Sequence, residues 1–590
     1  MGIDLRSVVF RSYFAKWVIL GIIIGIVAGL GAYAFYTLLS LTTHFFLDYI
    51  AGYIVPKPLG EGGSSSYQLV IERPWLIPLV TAIGGLLSGL IVYTFAPEAE
   101  GHGTDAAISA FHYHGGKIRT RIPFVKTIAS AITIGSGGSA GREGPTAQIA
   151  AGIGSIIASL LKLDEKDRRI AIAVGVGSGI GSIFRAPLGG ALFGAEVLYR
   201  RDVEVEAIYP ALIAGVIGFA IFSILATPNP VFGEYTGYFK IEHLPSYVLL
   251  GIICGLFGRL YAYTFYKVRD LFRRLKIKNH IKPMIGGLVT GTIGLFFPQV
   301  LGTSYGWLQM VISGKFELFT LYGLTATLIL LVLAILKIIV TSFSIGSGGS
   351  GGVFAPGIVI GGFLGASVGL LLNSLNLIDS AEIPSMAIVG MMSFFGGIAK
   401  APISVMVMIV EMTGGLHLLP PTMIATALSY IVSGKFSIYE SQLPTRKDSP
   451  AHWDEYVIPI LRQVKIASVD IKYVEPISLK SSISEVINVI ERNNLVAVPV
   501  VENSKFLGII HLRDIIKVNR AGSSVDIKQL IRPCRFITKE STLDEALRIM
   551  AENDIDFAPV IEDNKYIGVV TLQAEVKAYM DTLRRIIRRS

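Results

Sequence analysis

The residues best equipped for chemistry in the apolar part of this sequence lie in "GSGGSAGREGPTAQI" at 135–149. Glycines come first, then Arg142 and Glu143, then Pro145, all between stretches oily enough for a bilayer. A charged side chain at the centre of a membrane helix costs about 2.5–3.5 kcal/mol on insertion scales, so an acid kept there is functional by default. Glycine lets the chain enter conformations other residues resist, and lets a ligand reach the backbone. Proline at a first helical turn gives up an N–H that had no partner anyway. Pro145 therefore reads as a helix start. Residues 141–144 would then present unpaired N–H groups at the positive end of a helix dipole. That is an anion site built from backbone alone. Glu143 placed there is itself an anion, able to occupy the site of a permeating one and to leave it on protonation or displacement. The competing reading is a structural Glu–Arg pair on a loop.

The same chemistry recurs 211 residues later, in "GSGGSGGVFAPGIVIGGFLG" at 346–365. The first five residues are identical, and Gly141/Gly352, Pro145/Pro356, Ile149/Ile360 and Gly154/Gly365 also agree. Further on, "FRAPLGGALFGAEV" (184–197) echoes "AKAPISVMVMIVEMT" (399–413), with Arg185-Ala-Pro answered by Lys400-Ala-Pro at an offset of 215. The chain thus holds two related halves. Repeats with Gly/Pro-interrupted hydrophobic segments point to a midplane binding site in transporters. Residues 352–355 supply the second set of donors, and the two loops are expected to meet at the centre. Non-helical backbone in lipid must be buried or line a cavity, which suits that arrangement.

Other chemistries fit less well. A P-loop needs Gly-Lys-Ser/Thr where this loop ends Gly-Arg-Glu, and no strand–helix–strand context surrounds the glycines. No HExxH metalloprotease motif is present, and no nucleophile–base pairing suggests an enzyme. His102, His112 and His114 lie close in "GHGTDAAISAFHYH", which reads as solvated or satisfied histidines ahead of a metal cluster. No metal or obligatory cofactor is expected.

The elements that must hold these loops are membrane helices. Of 590 residues, 52% are hydrophobic and 16% charged, and the mean hydropathy is +0.60. Soluble domains usually carry about 25% charged residues. Runs from Trp17, Trp75 and Leu321 reach the roughly 20 residues that cross a bilayer. Other runs are too short and come in pairs, as in broken or re-entrant helices. The net charge of +9 gathers in stretches such as "RRLKIKNHIKP" (273–283) and the C-terminal "RRIIRRS". Loops rich in Lys and Arg face the cytoplasm, so this charge reads as topology and not as nucleic-acid binding. Cys254 and Cys534 suggest no disulfide scaffold. No cleavable signal peptide is expected.

Near residue 440 the composition changes. Residues 441–463 read as a polar linker, and a charged, short-period α/β segment follows. It has its own repeat: "NNLVAVPVVENSKFLGIIHLRDI" (493–515) matches "NDIDFAPVIEDNKYIGVVTLQAE" (553–575), 60 residues apart. Each copy predicts helix, strand, turn, strand, helix, with Ser482 or Ser541-Thr542 as helix caps.

On "GREGP" (141–145), "GVFAP" (352–356), "RAPLGGALFGAEV" (185–197), "EMTGG" (411–415) and "SIYES" (437–441), in this order, residues 15–445 resemble the CLC family of chloride channels and proton/chloride antiporters. The tail resembles a pair of CBS modules. The resemblance implies an all-α polytopic membrane domain of two inverted-topology repeats with broken or re-entrant helices, plus a cytoplasmic α/β tandem CBS domain. The expected division is 1–440 for the anion-transport domain (repeats about 17–225 and 246–440), then the linker, 464–524 for the first CBS module and 525–590 for the second. A homodimer with one anion pathway per subunit is implied, multi-pass in the cell membrane. Glu143 matches the family's gating glutamate. Gly144, Val353, Phe354 and Ala355 match its backbone donors, and Tyr439 matches the tyrosine that closes the inner side.

Two departures bear on function. The family's first motif reads Gly-Ser-Gly-Ile-Pro, and here "GHGTD" (101–105) puts His102 at the anion-binding serine. An imidazole N–H can donate to an anion. Asp105 is expected to cap the next helix in place of the proline. Proton-coupled members carry a second, inward-facing glutamate where this chain has Val197, as the family's channels do. A channel-like chloride pathway gated by Glu143 is therefore expected; a proton/chloride antiporter is the alternative, and a CBS-linked divalent-cation transporter fits less well. The nucleotide signature of the CBS pair is split, with Asp514 kept in one copy and Thr571 in the other. A dimer-stabilising scaffold is the expected role of the tail, with adenine-nucleotide binding the alternative.

Overall fold

The computed structural model describes residues 13–64, 67–453, 460–521 and 526–589. Residues 454–459 of the expected linker, and 522–525 at the expected junction of the two CBS modules, lie outside the described residues. The chain forms two compact units, 1–451 and 452–590.

Among the described residues, the first unit holds two sets of eight α-helices in matching order. The first set is α1 (Tyr13–Thr43), α2 (Leu76–Phe95), α3 (Thr104–Tyr113), α4 (Ile122–Gly135), α5 (Glu143–Leu160), α6 (Glu165–Phe184), α7 (Pro187–Glu196) and α8 (Val205–Leu225). The second is α9 (Leu244–Arg274), α10 (Lys282–Phe296), α11 (Tyr305–Ile312), α12 (Ala326–Gly346), α13 (Phe354–Ser374), α14 (Ile383–Ile398), α15 (Pro402–Thr413) and α16 (Leu419–Ser433). The leading helix of each set has 31 residues. Among the described residues, eight helical segments are long and apolar enough to span a membrane. By contrast α3, α7, α11 and α15 have only 8 to 12 residues. At 1.5 Å per residue they cannot cross a hydrocarbon core of about 30 Å. They are the short elements the sequence predicts, and the first residues of α3 and α11, Thr104 and Tyr305, and the last residues of α7, α11 and α15, Glu196, Ile312 and Thr413, are buried.

Contacts between the halves come in mirrored pairs. The Glu196 carboxylate, at the end of α7, accepts from the Ile403 and Ser404 N–H groups at the start of α15, at 3.2 and 2.7 Å. Glu411, near the end of α15, accepts from Leu188 and Gly189 at the start of α7, at 3.2 and 2.7 Å. α7 and α15 thus each have orphan first-turn donors satisfied by the other's acid. The same doubling appears in two fully buried lysines, 211 residues apart. Lys126 Nζ on α4 donates to the carbonyls of Ala99 and Gly101, and Lys337 Nζ on α12 donates to those of Val300 and Gly302. Each ammonium is hydrogen-bonded where a bare buried charge would be prohibitive, and each pins the turn that leads into α3 or α11.

In the second unit, α17 (Ile483–Asn493), β1 (Ala497–Glu502), β2 (Lys505–His511) and α18 (Leu512–Ala521) form one copy. The other has α19 (Leu543–Asn553), β3 (Phe557–Glu562), β4 (Lys565–Thr571) and α20 (Leu572–Arg589). Ser482 and Thr542 cap α17 and α19, with Glu485 and Glu545 completing capping boxes. Both hairpins turn through two residues of positive φ, Asn503-Ser504 and Asp563-Asn564, which suit the twist of antiparallel strands.

Candidate anion site

The two glycine loops meet, as their repetition predicts. Gly141 N donates to Gly352 O at 2.7 Å and Gly352 N to Gly141 O at 2.6 Å, a one-step antiparallel bridge between the halves. Glycine is required here by close approach. A Cβ on Gly352 would lie 2.8 Å from both Gly141 O and Gly144 N, and one on Gly144 would collide with the His102 carbonyl.

Helices α5 and α13 leave this bridge in turn. They begin at Glu143 and Phe354, two residues before the prolines expected to start them. Pro145 and Pro356 sit third in their helices, still inside the first turn where an N–H has no intrahelical acceptor. The expectation that residues 141 and 352 offer free donors is corrected: each amide is used by the other's carbonyl. The donors that remain belong to the first turns.

Glu143 shows where such donors point. Its side chain is buried, with Oε2 accepting from Ala355 N at 3.2 Å and Oε1 from the Tyr305 hydroxyl at 2.6 Å. The carboxylate of one half therefore rests on the first turn of the corresponding helix of the other. A helix N-terminus there stabilises whichever anion sits on it. Arg142 does not pair with its neighbour Glu143. Its guanidinium meets Glu61 at 2.5 Å and lies over the rings of Tyr36, Phe184 and Tyr305 at 5.4–5.9 Å.

Val353 and Phe354 are buried at the same turn, and the Phe354 ring packs on Phe395 at 4.6 Å. Phe395 in turn lies 6.5 Å from the Tyr439 ring, and His102 lies 5.5 Å from Tyr439 on another side. His102 is buried, and its Nδ1 has no hydrogen-bond partner among the described residues. A buried nitrogen in that condition marks a place where a ligand or water belongs. His102 also borders a cavity of about 880 Å³ whose lining includes Lys117, Arg119, Arg269, Arg273 and Lys282 as well as Glu98, Glu100 and Asp105. Glu143, Ala355, Phe354, Tyr439 and His102 are thus brought into one neighbourhood.

Asp105 does not cap α3. The cap position is Gly103, at φ 77°, and Asp105 falls one residue into the helix. Its carboxylate accepts instead from Ser441 N at 2.8 Å and Ser441 Oγ at 2.7 Å. It ties α3 to the 437–441 segment that carries Tyr439. The Tyr266 hydroxyl, which donates to Ile438 O at 2.7 Å, and Arg269, paired with Glu440, hold the same segment. Val197 is buried, and its carbonyl accepts from Gln442 Nε2 at 2.9 Å.

The three histidines diverge. His112 is buried with Nδ1 at Ser449 Oγ and Nε2 at Leu198 O, while His114 meets Ser109 O at the surface. In the tail, Asp514 is engaged by Arg532 through two 2.6 Å bonds, and Thr571 Oγ1 accepts from Ala574 N.

Tyr305 and the two lysines escape the sequence reading. The lysines had a signal, since both interrupt apolar helices at the offset of the glycine loops. Tyr305 had none: it meets Glu143 across 162 residues, and the segments leading into α3 and α11 share little beyond Gly101 and Gly302.

A voltage-gated chloride channel sequence model matches residues 84–434, more than half of the chain. The chain belongs to that family. Two CBS domains match at 466–520 and 526–574. Among curated members, the voltage-gated ClC-type chloride channel ClcB of Salmonella dublin is 30% identical over 422 residues, 70% of this chain and 94% of the relative. The H(+)/Cl(-) exchange transporter ClcA of Klebsiella pneumoniae is 29% identical over 370 residues, 60% and 76% of the two chains. The crystal structure of a eukaryotic CLC transporter superposes with a TM-score of 0.58 at 21% identity, covering 95% of this chain and 98% of that one. The family assignment gives a polytopic membrane protein with a C-terminal CBS tail.

Proposed function

We propose that this protein carries chloride passively across the membrane, as a channel-like CLC protein whose pathway is gated by Glu143. One observation supports this most directly: the Glu143 carboxylate rests on the Ala355 amide at the start of α13. A carboxylate and a permeating anion compete for the same donors. Protonation weakens the carboxylate's hold, and a higher anion concentration displaces it. His102, with its open Nδ1, is the inner donor, and Tyr439 closes the inner side. A homodimer with one pathway per subunit and a cytoplasmic tail completes the reading. Val197 supports uncoupled transport, because valine takes no proton at the position where family exchangers carry their second acid.

A proton/chloride exchanger is the second reading. Similarity to an exchange transporter favours it, as do the buried acids Glu196 and Glu204 on either side of Val197.

Replacing Glu143 with Ala tests the gate in reconstituted liposomes. Each hydrogen bond to an ionised group is worth about 1.5–3 kcal/mol, so the variant's anion flux near neutral pH should rise about tenfold or more and lose its pH dependence. Flux unchanged in rate and pH response would remove Glu143 from the gate.

A further inference from the structure

The geometry points to Tyr305 as the residue that holds the Glu143 carboxylate in the pathway, a positioning role that rests on the reading of Glu143 as the gate. Its hydroxyl is 2.6 Å from Glu143 Oε1, while Oε2 is on the Ala355 amide. Each oxygen of the acid therefore has its own donor. The amide would serve any anion on the site. The phenol at Oε1 serves the protein's own anion and selects its ionised form, because a charge-assisted hydrogen bond is roughly twice as strong as a neutral one.

The hydroxyl is held in place from several sides. Tyr305 is buried and is the first residue of α11, directly after Ser304, whose backbone is left-handed at φ 62°. The Lys337 ammonium grips the turn, donating to Val300 O, Gly302 O and Ser304 Oγ at 2.7–2.9 Å. The Tyr305 ring lies 5.4 Å from the Arg142 guanidinium and 5.3 Å from the Phe232 ring. The charged and titratable groups facing Glu143 are Arg142 on its own segment, Tyr305 from α11, Tyr261 from α9 and Tyr439 from the inner segment. Of these phenols, Tyr305 donates to the carboxylate and Tyr261 donates to Val353 O.

The repeat gives this contact a counterpart. Thr104 begins α3 as Tyr305 begins α11, and Thr104 lies near Tyr439. α3 and α11 thus each open with a hydroxyl side chain close to a residue that, on this reading, closes one end of the path. Lys126 secures the turn before Thr104 as Lys337 secures the turn before Tyr305.

The test is anion flux against pH for the full chain in liposomes, with Tyr305→Phe, Glu143→Ala and the double variant. Phenylalanine keeps the ring against Arg142 and Phe232 and removes only the donor. An ionised Glu143 without that donor takes up its proton at higher pH. Half-activation should move up by about one pH unit, and flux near neutral pH should rise about tenfold. In the Glu143→Ala background the same change should add nothing. Incorporating 3-fluorotyrosine at 305, a stronger donor of nearly the same size, should move half-activation the other way and provides a readout should the phenylalanine variant fold poorly. A wild-type profile for Tyr305→Phe beside a fast Glu143→Ala overturns the positioning role and leaves the gate intact. An equal effect of Tyr305→Phe with and without Glu143 also overturns it. An inert Glu143→Ala removes the gate itself.

Discussion

In the proposed reading, His102 sets which anion the pathway prefers. Its Nδ1 is buried and unbonded among the described residues, its ring lies tilted between those of Phe265 and Tyr439, and basic and acidic side chains line the adjoining cavity. An imidazole is larger than a hydroxymethyl group, and its donor direction is fixed by the ring plane. Serine at this position should therefore shift the chloride-to-nitrate flux ratio, by about fivefold if one hydrogen bond to the anion is re-aimed. Equal ratios in wild type and His102→Ser would mean the histidine faces away from the anion. At this scale the sequence was legible where chemistry is unusual for its surroundings: an acid among glycines, a histidine in place of serine. It was misleading at Asp105. An acid near a helix start suggests a cap, but the positive φ of Gly103 moves the cap upstream and leaves the carboxylate to Ser441. Nothing local to "GHGTD" announces a partner 336 residues away.

Among elements, the repeat was legible only where identity survived. The glycine loops kept it, and they meet as expected. The swapped caps of α7 and α15 kept their glutamates, Glu196 and Glu411, and the Ala-Pro that opens each helix, at the same offset of 215 as Arg185 and Lys400. In the tail, repetition exposes an exception. Residue 515 is Ile in the first copy, buried in that copy's core, and its counterpart 60 residues on is Glu575. Both Glu575 carboxylate oxygens are buried without a hydrogen-bond partner among the described residues, and burial pushes the carboxyl up to about 8 from its ordinary 4.5. The folded state prefers the protonated acid. Its stability is therefore fullest below the ordinary carboxylate range, falls as pH rises through the window between about 4.5 and about 8, and stays low above it. Calorimetry of the full chain should show the tail's transition falling by about 5 °C between roughly pH 6 and pH 8.5, with Glu575→Leu removing most of that slope. A slope unchanged in the variant would assign it to other groups.

For the whole molecule, the two-fold repeat puts the ends of short helices where lipid would tolerate none, and it shelters them with acids, lysines and carbonyls supplied by the opposite half or by the preceding turn. Sequence composition made the membrane unit and the tail separately legible. The compact membrane unit runs on to Ala451, since the segment after Tyr439 is bound back through Arg200 N to Leu443 O, Arg446 N to the Asp202 carboxylate and His112 to Ser449. Polar composition at 441–451 looked like a linker because its partners are backbone groups and charges far away in the chain. The proposed passive transport leans on Val197, a buried side chain that takes no proton. The decisive measurement is proton movement in liposomes containing the purified protein and an outward chloride gradient, with chloride efflux followed in parallel. Passive transport predicts rapid chloride efflux with no sustained uphill proton movement; protons driven steadily against their gradient by chloride would contradict it.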